Sequence, residues 1–265
     1  MDIGNARIKL GLFDREHGAA MPEPLATLSL MGDAPNDATN PDEIASWLEE
    51  IDPLHACKHA PYDWSIASVN RPAAARLIDW LREHRPADRV RLLCNADVPL
   101  EVRLPQPELV GIDRLVNAVA VNRLRQPDAA AIVVDVGTAI TVDLLSADAA
   151  FLGGAILPGM AMSARALNEF TDRLPVVDVS KLTAPPAVGA ATVSAIESGV
   201  FWAAVGAIRE LVRQMSDGQN LVEVFITGGA GAAVMRELGP NVRYVPHLTL
   251  SGIALAAARV ARSED

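Results

Sequence analysis

Cysteine is nearly missing from this chain: Cys57 and Cys94 are the only two among 265 residues. That argues against a disulfide framework and suits a reducing compartment. Aromatic residues make up 4% of a chain that is 50% hydrophobic, so its core has to come from Ala, Val, Leu and Ile, as in packed α/β proteins. No apolar run approaches the roughly 18 to 20 residues that span a bilayer, and Met1-Asp2-Ile3-Gly4 lacks a basic stretch leading into an apolar one. A cytoplasmic protein without a membrane partner is expected. Basic charge is short as well. With 23 Lys and Arg against 33 Asp and Glu, the formal net charge of −10 opposes the counterion release that drives binding to a phosphate backbone. Nucleic acid is therefore not an expected partner. The chain also lacks GxxxxGK[ST], a full GxGxxG, HExxH and GxSxG, which counts against P-loop, Rossmann, zincin and esterase-elbow readings.

What is present is a pattern that occurs twice. Asp2-Ile3-Gly4-Asn5-Ala6-Arg7-Ile8 and Asp135-Val136-Gly137-Thr138-Ala139-Ile140-Thr141 each set an Asp and a Gly-containing turn ahead of a strand. Doubling predicts two similar domains facing one another across a cleft, each offering a carboxylate and a tight backbone turn to one ligand, a nucleotide with its metal ion.

The rest of the chain follows the same doubling. Loose alternation over residues 3–12 and 25–30 predicts a meander of short strands, followed by a helix that Asn40-Pro41-Asp42-Glu43 opens and that runs to Ile51. A strand over 64–69, a helix opened by Asn70 and Pro72, and a strand over 90–94 follow. Residues 95–107, with Pro99, Pro105 and Pro107, read as a loop between the halves, ahead of a helix over 114–125. Strands over 131–135, 140–145 and 151–156 repeat the meander. Helices over 160–170 and 191–215, a strand over 222–226, a helix over 232–238, a strand over 243–245 and an Ala-rich helix complete the chain. The expected division is 1–112 and 113–265.

Several groups could carry chemistry. Gly4 and Asn5 let backbone amides approach phosphate oxygens, and Asp2 can hold hydrated Mg²⁺; alone, the same residues make an ordinary hairpin turn. Thr138 and Thr141 add hydroxyls beside Asp135, whereas Asp143 reads as a strand residue facing water. Gly228-Gly229, between a strand and a helix, can receive a phosphate or an adenine, although glycine pairs at such junctions also serve packing. Asp113 in Gly111-Ile112-Asp113-Arg114 can take a proton from a hydroxyl, with Arg114 fixing an anion; the plain alternative is an Asp interacting with a helix dipole. His55-Ala56-Cys57-Lys58-His59, bracketed by Pro53 and Pro61, does not read as a metal site.

Six segments in order, DIGNARIKLGLFD (2–14), GIDRLVNAVA (111–120), DVGTAITVDLL (135–145), FLGGAILPGMAMSARAL (151–167), TVSAIESGVFWAAVGAI (192–208) and FITGGAG (225–231), resemble type III pantothenate kinase. The resemblance implies an α/β fold of two ribonuclease-H-like domains, as in the actin-like ATPases and sugar kinases. It also implies ATP-dependent phosphorylation of pantothenate, a homodimer, and use of Mg²⁺ with K⁺ or ammonium. Carried over by position, Asp2, Ile3, Gly4, Asn5, Ala6, Arg7, Ile8 and Lys9 form the phosphate hairpin, and Asp113 is the proton acceptor. Gly111, Ile112, Asp113, Arg114 and Thr192 contact pantothenate, Asp135 holds the monovalent cation, and Thr138, Gly228 and Gly229 touch ATP.

Three positions depart from the family pattern. Ala6 stands where a Thr is usual, Leu104 stands where a Tyr is usual, and the first Asp follows Met1 directly instead of several apolar residues. A strand with so little ahead of Asp2 is expected to fray and to hold Asp2 poorly. Beside an active kinase, the departures leave open a catalytically weak nucleotide-binding regulator, or a kinase for another small hydroxyl substrate.

Overall fold

The computed structural model describes residues 1–14, 21–31, 41–51 and 61–264. The two sheets they form have one topology. Strands β1 (Asp2–Ile3), β2 (Arg7–Leu12) and β3 (Ala26–Met31) form an antiparallel meander, and β4 (Asp63–Ser68) and β5 (Arg89–Leu92) add in parallel on the free side of β1, giving the order β3-β2-β1-β4-β5. In the second sheet β6 (Ala130–Val136), β7 (Ala139–Leu145) and β8 (Phe151–Pro158) are the meander, and β9 (Val222–Thr227) and β10 (Val242–Tyr244) the parallel additions, in the order β10-β9-β6-β7-β8. Reversed, that order matches the first strand for strand. The doubled Asp-x-Gly pattern thus marks a doubled sheet, as the α/β fold expected from it requires.

Helices α1 (Pro41–Ile51), α2 (Arg71–His84) and α3 (Ile112–Leu124) accompany the first sheet in sequence; α4 (Met160–Glu169), α5 (Thr192–Ser216), α6 (Gly231–Leu238) and α7 (Leu248–Glu264) follow in the second half. Helix α2 begins where its sequence says: Asn70 Oδ1 accepts the Ala73 N–H at 3.2 Å, and Pro72 occupies the first turn, where its missing N–H costs nothing. In the first core Ile3, Ile8 and Leu10 meet Ile44, Trp47, Leu77 and Leu81; in the second, Ile132, Val134, Ile140 and Val142 meet Phe201, Val205 and Ile208 of α5.

The compact units do not follow a single cut at 112/113. The first contains residues 1–99, 106–123 and 247–265; the second contains 100–105 and 124–246. Helix α7 therefore returns to the first unit, where Gly252 lies so close to α3 that a β-carbon on it would sit 2.0 Å from Val116 O. Residues 100–105 belong with the second unit because Phe151 N–H donates to Glu101 O at 2.8 Å and Arg103 N–H to Phe151 O at 2.9 Å.

Two expectations are corrected. Asp2 does not fray: β1 pairs on both sides, Asp2 opposite Lys9 and Ala67, and Asp2 is only 8% exposed. Met1 is held as well, its ammonium donating to Ser65 O at 2.7 Å and its carbonyl accepting from Ala67 N–H at 2.9 Å. Asp143 does not face water: it is 1% exposed. Its neighbour Val142, pointing to the other side of the sheet, is buried too, so strand alternation cannot separate a solvent face here.

Candidate active site

In the first unit the site begins with the β1–β2 hairpin. Gly4 N–H donates to Arg7 O at 2.9 Å, closing the turn, and a β-carbon on Gly4 would stand 3.2 Å from that oxygen. The backbone at Gly4-Asn5-Ala6 is accordingly open to an approaching ligand, with Asn5 exposed. Pairing sets Lys9 beside Asp2, their Nζ and Oδ2 atoms 3.5 Å apart, so cation and carboxylate lie together under the turn. Burial pushes the Met1 α-ammonium down to about 6, against the pull of the Asp2 carboxylate.

On the other flank, Val69 N–H donates to Ile3 O at 3.1 Å and Ser68 Oγ to the same carbonyl at 3.3 Å. Val69 links this hairpin to Gly111, two residues before the predicted base. A β-carbon on Gly111 would lie 3.7 Å from Val69 Cγ1 and 2.5 Å from Asp113 Oδ1. Asp113 stands in the first turn of α3, where its Oδ1 also accepts the Arg114 N–H at 2.9 Å. The first unit thus brings together residues 2–9, the end of β4 and Gly111, Ile112, Asp113 and Arg114.

The second unit gathers Asp135, Gly137, Thr138, Gly159 and Gly228. Asp135 pairs with Thr141 on β7 and Thr227 on β9. Gly137 N–H donates to Ala139 O at 3.0 Å to close this hairpin, and Gly159 N–H donates to Thr138 O at 3.0 Å. Gly228, with φ +94°, packs so tightly that a β-carbon would fall 2.6 Å from Asp135 Oδ1 and 2.5 Å from Val136 O. Thr138 and Gly229 are exposed at the rim. Thr192 is exposed at the start of α5, in the same unit.

These donors suit hard cations. Asp2 offers one carboxylate, which is how hydrated Mg²⁺ is commonly held when phosphates supply the other ligands, and Asp135 offers a carboxylate beside the Val136 carbonyl. Among the described residues no three His, Cys, Asp or Glu gather as a metal cage. His55 to His59 lie outside the described residues.

A family model for type III pantothenate kinase matches residues 1–214. This chain belongs to the type III pantothenate kinase family. A family member from Rhodopirellula baltica is 38% identical over 229 residues, covering 81% of this chain and 82% of its own. Another, from Dehalococcoides mccartyi, is 34% identical over 265 residues, covering 96% and 95%. Among solved structures, a Baf family protein from Campylobacter jejuni superposes with TM-score 0.57 at 20% identity over 98% of both chains. The activator of 2-hydroxyisocaproyl-CoA dehydratase from Clostridium difficile, solved with bound ADPNP, gives TM-score 0.54 at 15% identity over 99% of this chain and 94% of its own. The last two likenesses concern the fold alone.

Sequence reasoning passed over Ser68, Val69 and Asn95, which hold the hairpin and the Asp113 loop. The Asn-Ala-Asp turn at residues 95–97 was the one local signal for Asn95. Nothing local marks Val69.

Proposed function

We propose that this chain phosphorylates pantothenate with ATP, giving 4′-phosphopantothenate, the first committed product of coenzyme A synthesis. The observation that carries the residue assignment is that Val69, bonded to Ile3 of the Asp2–Lys9 hairpin, lies by Gly111, two residues before Asp113, within one unit. Asp113 accepts the proton of the pantothenate primary hydroxyl as that oxygen attacks the γ-phosphorus, and Arg114 holds the substrate carboxylate. The hairpin amides and Lys9 carry the phosphate charge, so the rate comes from alignment and charge neutralisation. Mg²⁺ at Asp2 neutralises phosphate charge when bound.

In the second unit Thr138 and Gly228-Gly229 serve the nucleotide and Asp135 holds K⁺ or ammonium. Thr192 contributes to pantothenate binding near a homodimer interface. In support of that interface, Val193 is exposed beside Thr192, and Phe170 and Val188 of the same unit are 81% and 86% exposed.

Coupled measurement of ADP release, with pantothenate and ATP in K⁺ or Na⁺, tests this reading on the chain itself and on Asp113→Asn. The wild-type chain is expected to turn over only with pantothenate, and the Asn variant to lose about 10²- to 10⁴-fold in kcat. No pantothenate-dependent turnover with either cation would refute the activity. Undiminished turnover in the variant would refute only the base.

A further inference from the structure

We infer that Asn95 is the positioning residue for Asp113, an assignment resting on the reading of Asp113 as proton acceptor. Asn95 opens a short 3-10 turn, Asn95–Asp97, after β5. Its side-chain amide donates to Pro107 O at 3.1 Å, Glu108 O at 3.3 Å and Val110 O at 3.0 Å. Two N–H bonds serve three carbonyls, so the loop is drawn around a single point. Directly after that loop comes Gly111, whose carbonyl accepts the opening bonds of α3 from Arg114 N–H at 3.1 Å and Leu115 N–H at 3.4 Å.

The anchor is itself fixed. Asp97 Oδ2 accepts the Cys94 N–H at 2.8 Å, Asp97 N–H returns to Cys94 O at 3.0 Å, and the turn packs against α7. Within the loop, Leu109 N–H donates to Gln106 O at 3.2 Å and Val110 N–H to Pro107 O at 3.3 Å, local bonds that close one turn without tying it to the rest of the unit. Because the Gly111 carbonyl accepts the opening bonds of α3, the Gly111 backbone sets where the first turn of that helix, with Asp113 on it, can lie. Release of residues 107–110 therefore moves Asp113. A base displaced by about 1 Å loses on the order of 10²-fold in rate.

The test is steady-state kinetics on the full chain with ATP and pantothenate for Asn95→Gln, Asn95→Ala and Asn95→Asp, with Asp113→Asn in parallel and the melting temperature of each. In the Ala variant kcat is expected to fall about tenfold while KM for ATP stays within about twofold, the signature of a misplaced base without a damaged nucleotide site. The Asp variant, which turns acceptor oxygens toward carbonyls, should lose more, and the Gln variant, which keeps the amide, less. If the Ala variant does not fold, the Gln and Asp variants decide by their order. Wild-type kcat in the Ala variant beside an inactive Asp113→Asn overturns the role of Asn95, as does a Gln variant as impaired as the Asp one. Wild-type kcat in Asp113→Asn overturns the base itself, and that result is separate from the others.

Discussion

Gly228 and Asp135 stand at the ends of neighbouring parallel strands, so close that a β-carbon on Gly228 would lie 2.6 Å from Asp135 Oδ1. Gly228 also has φ +94°, a conformation that side chains rarely adopt. Gly228→Ala therefore meets two penalties at once, strain in the backbone and displacement of the Asp135 carboxylate. We expect a destabilisation of about 1–3 kcal/mol, read as a lower melting temperature, and a raised KM for ATP. An Ala variant with wild-type stability and KM would contradict the tight packing of Gly228 against Asp135.

Local pattern was enough to read most of the fold. Alternating apolar residues give the strands, Asn70 with Pro72 gives the start of α2, and the Asp-x-Gly repeat gives the doubling. What could not be read depended on pairing between distant residues. Residues ahead of Asp2 are too few to hold it, but its second ladder partner, Ala67, lies on β4, far along the chain. Asp143 reads as facing water because one side of a strand usually does, yet at Val142 and Asp143 both sides of β7 are buried. Asp135 was legible from its motif as part of a strand-turn-strand hairpin. Its closeness to Gly228 follows from β6 lying beside β9, which no local signal announces.

The monovalent cation proposed at Asp135 has its own readout. Asp135→Asn keeps the shape and removes the charge, so the half-activating K⁺ concentration should rise about tenfold, with little response left in the physiological range. Initial rates across a K⁺ series, with Na⁺ holding ionic strength constant, measure this. An unchanged K⁺ response would move the cation away from Asp135.

Gly252 governs how closely α7 approaches α3. A β-carbon there would sit 2.0 Å from Val116 O and 2.6 Å from its carbonyl carbon, and backbone atoms cannot swing aside as a side-chain tip can. Gly252→Ala must separate the helices, at about 1–3 kcal/mol. Urea unfolding with unchanged m-value and a lowered midpoint is the expected result. Because α7 returns to the unit that carries Asp113, kcat should fall as well; loss of stability with full kcat would show that the separation is absorbed away from the site.

Asp88 predicts how stability depends on pH. Its side chain is 1% exposed, and it accepts from Tyr62 N–H at 3.1 Å, Trp64 Nε1–H at 2.7 Å and Arg85 Nε–H at 2.6 Å. Burial pushes the carboxyl up, but the hydrogen bonds from Arg85, Trp64 and Tyr62 and the Arg85 charge outweigh it, leaving the pKa below the ordinary Asp value. A folded-state pKa lower than the unfolded one means that the unfolded chain binds more protons through this interval. The stabilisation is therefore complete above the unfolded value of about 3.9 and drains away as pH falls through the folded one. Asp88→Asn, which removes the charge but not the shape, should cost about 2–4 kcal/mol at pH 7. Below about pH 4 the wild type should lose that advantage progressively while the variant stays flat in this contribution. Urea midpoints for both proteins from pH 7 to pH 3 measure the gap, and a gap that widens on acidification would mean that folding raises the Asp88 pKa instead of lowering it.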